Sequence, residues 1–337
     1  MSASSRRNVA PKGIERIDHY IDSLEPGISL HLREKRPKGK RKFEDQATLL
    51  MVHGRMAPGP VAYDLPIPGY SWMDYIASRG FDVFALSIRG FGESTWPQEM
   101  LASPKGKPPA VPGKVAVRDI KAAVDFICER RGVNKLGILG RSWGTTTGPA
   151  YAAENMKQVH KLVLYAPYYA YDNPQRAKQM EDPRRPGEFD ARRGAWSWCT
   201  EKDVHHRWWG HIRGDAHHKW REPRVLKTYF RELLRYDTQG AKRKTPAFRL
   251  ANGSLADLYD RARNKPLYDA SRIACPVLLI RGDQDGASAD PEAWGLYKAL
   301  RNSRGKRYVI INDGTHFMEL EKRRMELLSE VQLFLEG

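Results

Sequence analysis

The stretch LGILGRSWGTTTG, from Leu136 to Gly148, runs out of an apolar segment into a serine, Ser142, with Gly140 and Gly144 two residues to either side. Glycines at these positions let a strand and a helix approach where side chains would clash. A sharp turn between the two lifts the hydroxyl clear of the sheet. The N–H groups that open the following helix favour negative charge. A serine so placed can attack a carbonyl carbon. The G-x-S-x-G pattern is weak alone, and its position between a buried strand and a helix sharpens it.

A serine hydroxyl needs a base to take its proton, and the base needs an acid to orient it. In a sheet that places its nucleophile this way, they follow in the order serine, carboxylate, histidine, each just past a later strand. The chain supplies both. PVLLIRGDQDG ends one apolar run with Asp283 and Asp285, and YVIINDGTHF ends the next with Asp313 and His316. A serine that only filled a turn would give these groups no reason to stand at the matching strand ends.

The elements that must position these groups follow from apolar periodicity. IERIDHYIDS and ISLHLREKRP flank the turn EPG and read as an antiparallel hairpin. QATLLMVHG and FDVFALSIRG are short apolar runs that fit strands buried on both faces, with the helical segment YSWMDYIASRG between them. VAVRDIKAAVDFICERRG has helical spacing and closes at Gly132; LGILG, the helix TTTGPAYAAENM and the strand HKLVLYAP follow. Late in the chain come the strand CPVLLIRGD, the helix PEAWGLYKALRN, the strand KRYVIIND and the helix ELEKRRMELLSEVQLFLEG. Strands alternating with helices mean a doubly wound, mostly parallel sheet. From about Tyr169 to Lys265 the alternation stops and the composition turns to Arg, His, Trp and Pro. That stretch reads as an insertion after the strand HKLVLYAP, with helical pieces such as VLKTYFRELLRY and no strand of the parallel type.

The 337 residues, 41% of them hydrophobic, can build a sizeable core. No run of about eighteen apolar residues exists to span a membrane, and MSASSRRNVAPKG has no apolar segment behind its arginines to make a secretory signal. Cys128, Cys199 and Cys275 are few and scattered, which points to reduced thiols and the cytoplasm. The net charge is +17. Part of it lies in REKRPKGKRK, expected to be a solvated hairpin end or loop, and more between Asn173 and Lys265. Charge alone admits nucleic-acid binding, but no zinc-finger, helix-turn-helix or RNA-recognition signature accompanies it. Solubility or attraction of anionic ligands is the preferred reading, with neither nucleic acid nor membrane as partner. The His-rich run HHRWWGHIRGDAHHKW lacks metal-ligand spacing such as HExxH, so no metal or other cofactor is expected.

Together, HG at His53–Gly54, GRSWG at 140–144, RGDQD at 281–285 and GTH at 314–316 resemble the motifs of the α/β-hydrolases that carry a cap domain. The resemblance covers nearly the whole chain. It implies an eight-stranded, mostly parallel sheet formed by residues 1–168 and 266–337, with a largely helical cap at 169–265 inserted after the sixth strand. It implies a triad of Ser142, Asp285 and His316, since the family pattern G-x-x-D falls on Gly282 and Asp285 and leaves Asp283 as a turn former. It also implies an oxyanion hole from the backbone N–H groups of Arg55 and Trp143. The expected activity is that of a serine hydrolase cleaving an ester or amide of a small organic substrate through an acyl-enzyme. A serine in the nucleophile slot disfavours epoxide hydrolases and haloalkane dehalogenases, which use Asp there.

GRSWG and IRGFGESTWP are similar to stretches of proline iminopeptidases, which bind a substrate ammonium through acidic groups in the cap. The basic cap here argues instead for an anionic or carboxyl-bearing substrate. A peptidase of that kind, and a non-catalytic ligand receptor on the same fold, are the alternatives. Four residues are candidate substrate contacts: His53, which otherwise props the oxyanion loop, Arg141, Trp208 and Trp209. The cap tryptophans are either cap core or the wall of an aromatic pocket facing Ser142. Arg141 either faces a substrate anion or pairs with an acid in the core.

Overall fold

A computed structural model describes residues 13–337 except Arg213 and Asp215. The N-terminal segment read above for a leader therefore lies outside the described residues. Eight strands form one sheet: β1 (Ile14–Asp22), β2 (Ser29–Pro37), β3 (Thr48–Val52), β4 (Asp82–Leu86), β5 (Leu136–Arg141), β6 (Val159–Tyr165), β7 (Val277–Gly282) and β8 (Lys306–Ile311). Their order is β1-β2-β4-β3-β5-β6-β7-β8. The N-terminal hairpin pairs Ile14 with Pro37 and Asp22 with Ser29, and β2 joins β4 antiparallel. From β4 through β8 the neighbours are parallel. Every residue of β3, β4, β5 and β7 is buried, as in strands covered on both faces.

Alternate side chains of these strands feed two cores. Leu49, Met51, Leu139, Val163 and Ile280 face a core with helices α1 (Trp72–Ala77) and, at the C-terminus, α8 (Arg324–Glu336). Leu50, Val52, Ile138, Leu164 and Leu279 face the other, with α2 (Gly113–Arg131) and α3 (Gly144–Glu154). Helix α1 is capped by the Ser71 hydroxyl accepting from the Asp74 N–H at 3.0 Å. Helix α2 closes on Gly132 at φ 65°, in the left-handed region that favours glycine. The C-terminal helix begins at Arg324, later than its apolar pattern predicts, after a single 3-10 turn at Met318–Leu320.

The basic segment REKRPKGKRK is a solvated loop only in its second half, where Lys38 to Lys42 are exposed. Its first four residues, Arg33 to Arg36, are buried in β2, which lies between β1 and β4. Buried charges persist only when paired, and these are. Arg33 donates to Asp18 at 2.8 Å and Asp64 at 3.1 Å, and the Lys35 ammonium lies 2.7 Å from Asp74. Glu34, fully buried, meets His19 at 2.7 Å, Arg36 at 2.7 Å, Arg130 at 3.0 Å and also Arg131.

Between β6 and β7 the chain builds helices α4 (Glu201–Trp209), α5 (Pro223–Leu234) and α6 (Gly253–Ala262). It also builds two antiparallel ribbons, Glu181–Asp182 with Arg185–Phe189 and Trp196–Thr200 with Ala247–Ala251. Helix α4 starts in a capping box between Thr200 and Asp203. Val204, Trp208, Val225, Tyr229 and Leu250 of this segment join the same core as α1 and α8. Helix α7 (Asp290–Ala299) completes the connection from β7 to β8.

Candidate active site

Strand β5 ends at Arg141, and the next residue, Ser142, takes a φ of 54° before α3 begins at Gly144. A serine in the left-handed region carries strain that tertiary structure must hold. Here the Ser142 N–H donates to the Tyr165 carbonyl at 2.9 Å, tying the turn to β6. The glycines are required by contact. A Cβ on Gly140 would stand 2.3 Å from the Gly144 carbonyl oxygen, and one on Gly144 would stand 2.2 Å from the Val52 carbonyl oxygen. Strand β3 and helix α3 meet too closely for any side chain there.

The loops after β7 and β8 bring the acid and the base to this turn. His316 Nε2 lies 2.8 Å from the Ser142 hydroxyl oxygen, and its Nδ1 lies 2.9 and 3.0 Å from the two carboxylate oxygens of Asp285. Asp285 accepts further bonds from the Ala287 and Ser288 N–H groups, both at 2.9 Å. Burial alone would raise the Asp285 pKa, but the charge and hydrogen bond of His316 and the Ser288 N–H outweigh it, and the carboxyl titrates below its ordinary value. Burial lowers the His316 pKa despite the pull of Asp285, with Arg141 and Arg207 adding to the drop. The imidazole is thus neutral near pH 7 and able to accept a proton. Asp283 is exposed, accepts from the Gly314 N–H at 3.3 Å, and does not reach His316.

Trp143 and Arg55 flank the serine. No acceptor among the described residues takes either main-chain N–H. The Trp143 indole donates to Asp257 of α6 at 2.7 Å, and the same carboxylate accepts from the Gly113 N–H at 2.9 Å. Burial nevertheless pushes the Asp257 pKa up to about 6. Tyr168 and His211 lie roughly parallel to the His316 ring, at centroid distances of 5.8 and 6.0 Å. His211 also accepts the Gly286 N–H at 2.9 Å, and burial with the nearby His316 drives its pKa to about 4.

A cleft over Ser142 and His316 is lined by arginines from five parts of the chain: Arg55, Arg141, Arg176, Arg207 and Arg261. Of the four candidate substrate contacts, only Arg141 lines it. Its guanidinium pairs with buried Glu319 at 2.7 Å and donates to the His316 carbonyl at 2.9 Å, so it is a core ion pair in the wall. His53 is fully buried, not a substrate contact. Its Nε2 accepts from the Ile88 N–H at 3.1 Å and its Nδ1 donates to the Gly54 carbonyl at 2.6 Å, which holds the loop before Arg55. Trp208 is also fully buried: its indole donates to Glu321 at 2.8 Å and stacks on Phe317. Trp209 is 40% exposed against His205 and His217, outside the cleft. Of the two readings of the cap tryptophans, the pocket wall is not the one these two take: α4 turns Trp208 to the core and Trp209 outward.

Sequence reasoning missed Tyr168, Arg207, Asp257 and Arg261. Tyr168 had a signal, three residues past the end of β6. The others sit in a segment whose composition carries no period. Among the described residues no three His, Cys, Asp or Glu side chains converge as a metal site, and no helix is long and apolar enough to cross a membrane.

The fold is shared with known proteins. The chain superimposes on an esterase from Thermogutta terrifontis, solved with malate bound, at a TM-score of 0.63 and 16% identity over 95% of this chain and 98% of that one. It matches the enol-lactonase of Burkholderia xenovorans LB400 at 0.63 and 18% identity, covering 95% and 100%. It matches 2-hydroxy-6-oxo-6-phenylhexa-2,4-dienoate hydrolase from Rhodococcus sp. strain RHA1 at 0.58 and 15% identity, covering 95% and 99%. At such identities the likeness shows the fold alone. Among curated protein sequences nothing matches. A family model for the alpha/beta hydrolase fold matches residues 47–322, a span that runs from β3 past His316, and the chain belongs to that family.

Proposed function

We propose that the protein is a serine hydrolase that cleaves an ester or amide of a small organic substrate through an acyl-enzyme. The observation that carries this reading is the unbroken chain Asp285–His316–Ser142, ending on a hydroxyl held at a left-handed turn. In the first step Ser142 Oγ bonds to the acyl carbon while its proton passes to His316 Nε2. The carbonyl electrons move to oxygen, where the N–H groups of Arg55 and Trp143 stabilise the anion; such donors are each worth about 3 kcal/mol of barrier. His316 then gives its proton to the leaving alcohol or amine. Water, deprotonated by the same nitrogen, attacks the acyl-enzyme and releases the acid and Ser142.

Asp285 fixes the imidazole tautomer and stabilises the imidazolium that forms. Residues 169–265 are proposed to act as the cap that selects substrate. The similar structures, an esterase, an enol-lactonase and a dienoate hydrolase, support a hydrolytic reading. An arginine-lined cleft whose acid, Asp257, is already engaged by two N–H donors fits an ammonium-bearing peptide substrate poorly. Three free thiols fit the reducing cytoplasm.

The test is a fluorophosphonate probe with mass-spectrometric mapping of the adduct. Labelling is expected at Ser142 and is expected to vanish in His316→Ala. Ser142→Ala should lower kcat on any turned-over ester by about a millionfold. Folded protein that hydrolyses no ester or amide and leaves Ser142 unlabelled would overturn the proposal.

A further inference from the structure

The five arginines of the cleft are not equivalent. Arg141 is neutralised by Glu319 at 2.7 Å. Arg261 pairs with the buried Glu292 at 2.8 Å and covers the face of Tyr168 at 3.7 Å, while Arg176 approaches the same carboxylate at 4.0 Å. Two are left. Neither Arg55 nor Arg207 has a carboxylate within salt-bridge distance among the described residues, and the buried Nε of Arg55 has no hydrogen-bond partner. Both line the cleft together with Ser142 and His316. One comes from the loop after β3, the other from the last turn of α4.

Holding two uncompensated cations in one partly desolvated cleft is unfavourable unless an anion completes it. Burial and the charge of Arg207 both press the Arg55 guanidinium below its ordinary value, leaving it still cationic at neutral pH. Asp257, the acid of the cleft, is spoken for by Trp143 and Gly113. A planar guanidinium matches a carboxylate with two parallel N–H···O bonds, a fit an ammonium cannot make.

Resting on the serine-hydrolase reading, we propose that Arg55 and Arg207 form an anion subsite beside Ser142, and that the substrate is an ester or amide bearing a free carboxylate. The backbone N–H of Arg55 and its side chain then have separate tasks, the first at the reacting oxygen and the second at the carboxylate. The carboxylate fixes the position of the scissile carbonyl, so part of its binding energy serves orientation.

The experiment compares matched esters with and without the charge. 4-Nitrophenyl hydrogen adipate against 4-nitrophenyl methyl adipate puts the carboxylate on the acyl side; 4-acetoxybenzoate against its methyl ester puts it on the leaving group. In the wild type, kcat/KM for the anionic member of at least one pair is expected to exceed that of the neutral one by about tenfold or more, the range of a charge-assisted hydrogen bond. Arg207→Gln should cut that ratio by about tenfold, chiefly through KM, and Arg207→Lys should restore part of it. A wild type that prefers the neutral member of both pairs, or a ratio unmoved by Arg207→Gln, would overturn the subsite while leaving the hydrolase intact. Binding separates the two proposals if no ester is turned over. In Ser142→Ala, monomethyl adipate should bind measurably by calorimetry and dimethyl adipate should not, with the difference lost in Ser142→Ala/Arg207→Gln. Equal binding of both esters to Ser142→Ala would count against the subsite whatever the catalytic result.

Discussion

At the scale of single residues, the titration of His316 sets how activity should vary with pH. The base works only when neutral. Its pKa is lowered below the ordinary 6.5 by burial, with Arg141 and Arg207 contributing and Asp285 opposing. The acid limb for a neutral ester should therefore be centred below about pH 6.5, with activity falling as pH drops through the lowered value. Removing the Arg207 charge relieves one of the lowering influences, so Arg207→Gln should move the acid limb to higher pH. A kcat/KM profile on a neutral ester checks both, and an acid limb centred above pH 7 in the wild type contradicts the first. Arg141 makes a different prediction. Its pairing with Glu319 is buried, and Glu319 also accepts the Tyr165 hydroxyl at 2.6 Å. Arg141→Met leaves that carboxylate with a neutral donor as its remaining partner, and urea unfolding should show a loss of about 3–5 kcal/mol. Replacing both members, Arg141→Met with Glu319→Leu, should recover much of it.

At the scale of elements, β2 is the strand whose character the residue pattern hid. A run of alternating charges next to PKGKRK reads as solvated, yet the strand is covered, and its charges survive by pairing across to β1, α2 and the segment before α1. Glu34 shows the consequence. Burial would raise its pKa, but the His19 hydrogen bond and the Arg131 and Arg130 charges outweigh this and lower it. A carboxyl with a lowered folded pKa adds stability that is complete above its unfolded value of about 4.5 and lost as pH falls through the folded one. Wild type should thus exceed Glu34→Gln by about 3 kcal/mol at pH 7 in urea unfolding, and the gap should narrow at pH 3.5. A gap that stays constant between the two pH values would show that Glu34 acts by shape alone. The turn between β5 and α3 is governed by backbone contact instead. Gly144→Ala must displace the Val52 carbonyl from β3, so soluble Gly144→Ala protein is expected to lose ester hydrolysis and to unfold at lower urea than wild type.

At the scale of the whole molecule, the sheet and the three residues at its strand ends were legible because both follow local rules. Strands buried on both faces are continuous apolar runs, and Ser142 and Asp285 each stand just past one, while His316 follows the partly buried edge strand β8. The cleft was not legible because part of its lining, including Arg176, Arg207, Asp257 and Arg261, comes from residues 169–265, where ribbons such as Trp196–Thr200 with Ala247–Ala251 pair residues about fifty positions apart and helices are short. Sequence could name Trp208 as a candidate but not its direction. Its direction links α4 to the histidine loop. The Trp208 indole donates to Glu321, and Glu321 accepts both the N–H of Thr315 at 3.1 Å and its hydroxyl at 2.5 Å, one residue before His316. Burial pushes the Glu321 pKa up to about 7, against these three hydrogen bonds. Trp208→Phe keeps an aromatic ring against Phe317 while removing one of the donors that hold the carboxylate. Stability should fall by about 1–3 kcal/mol for a lost buried hydrogen bond. Because the same carboxylate anchors Thr315, kcat should fall together with faster amide exchange at 315–317, whereas a defect confined to α4 would leave both at wild-type values. The histidine loop is then held from two sides, by the sheet through β8 and by α4 through one carboxylate, and the variant separates their contributions.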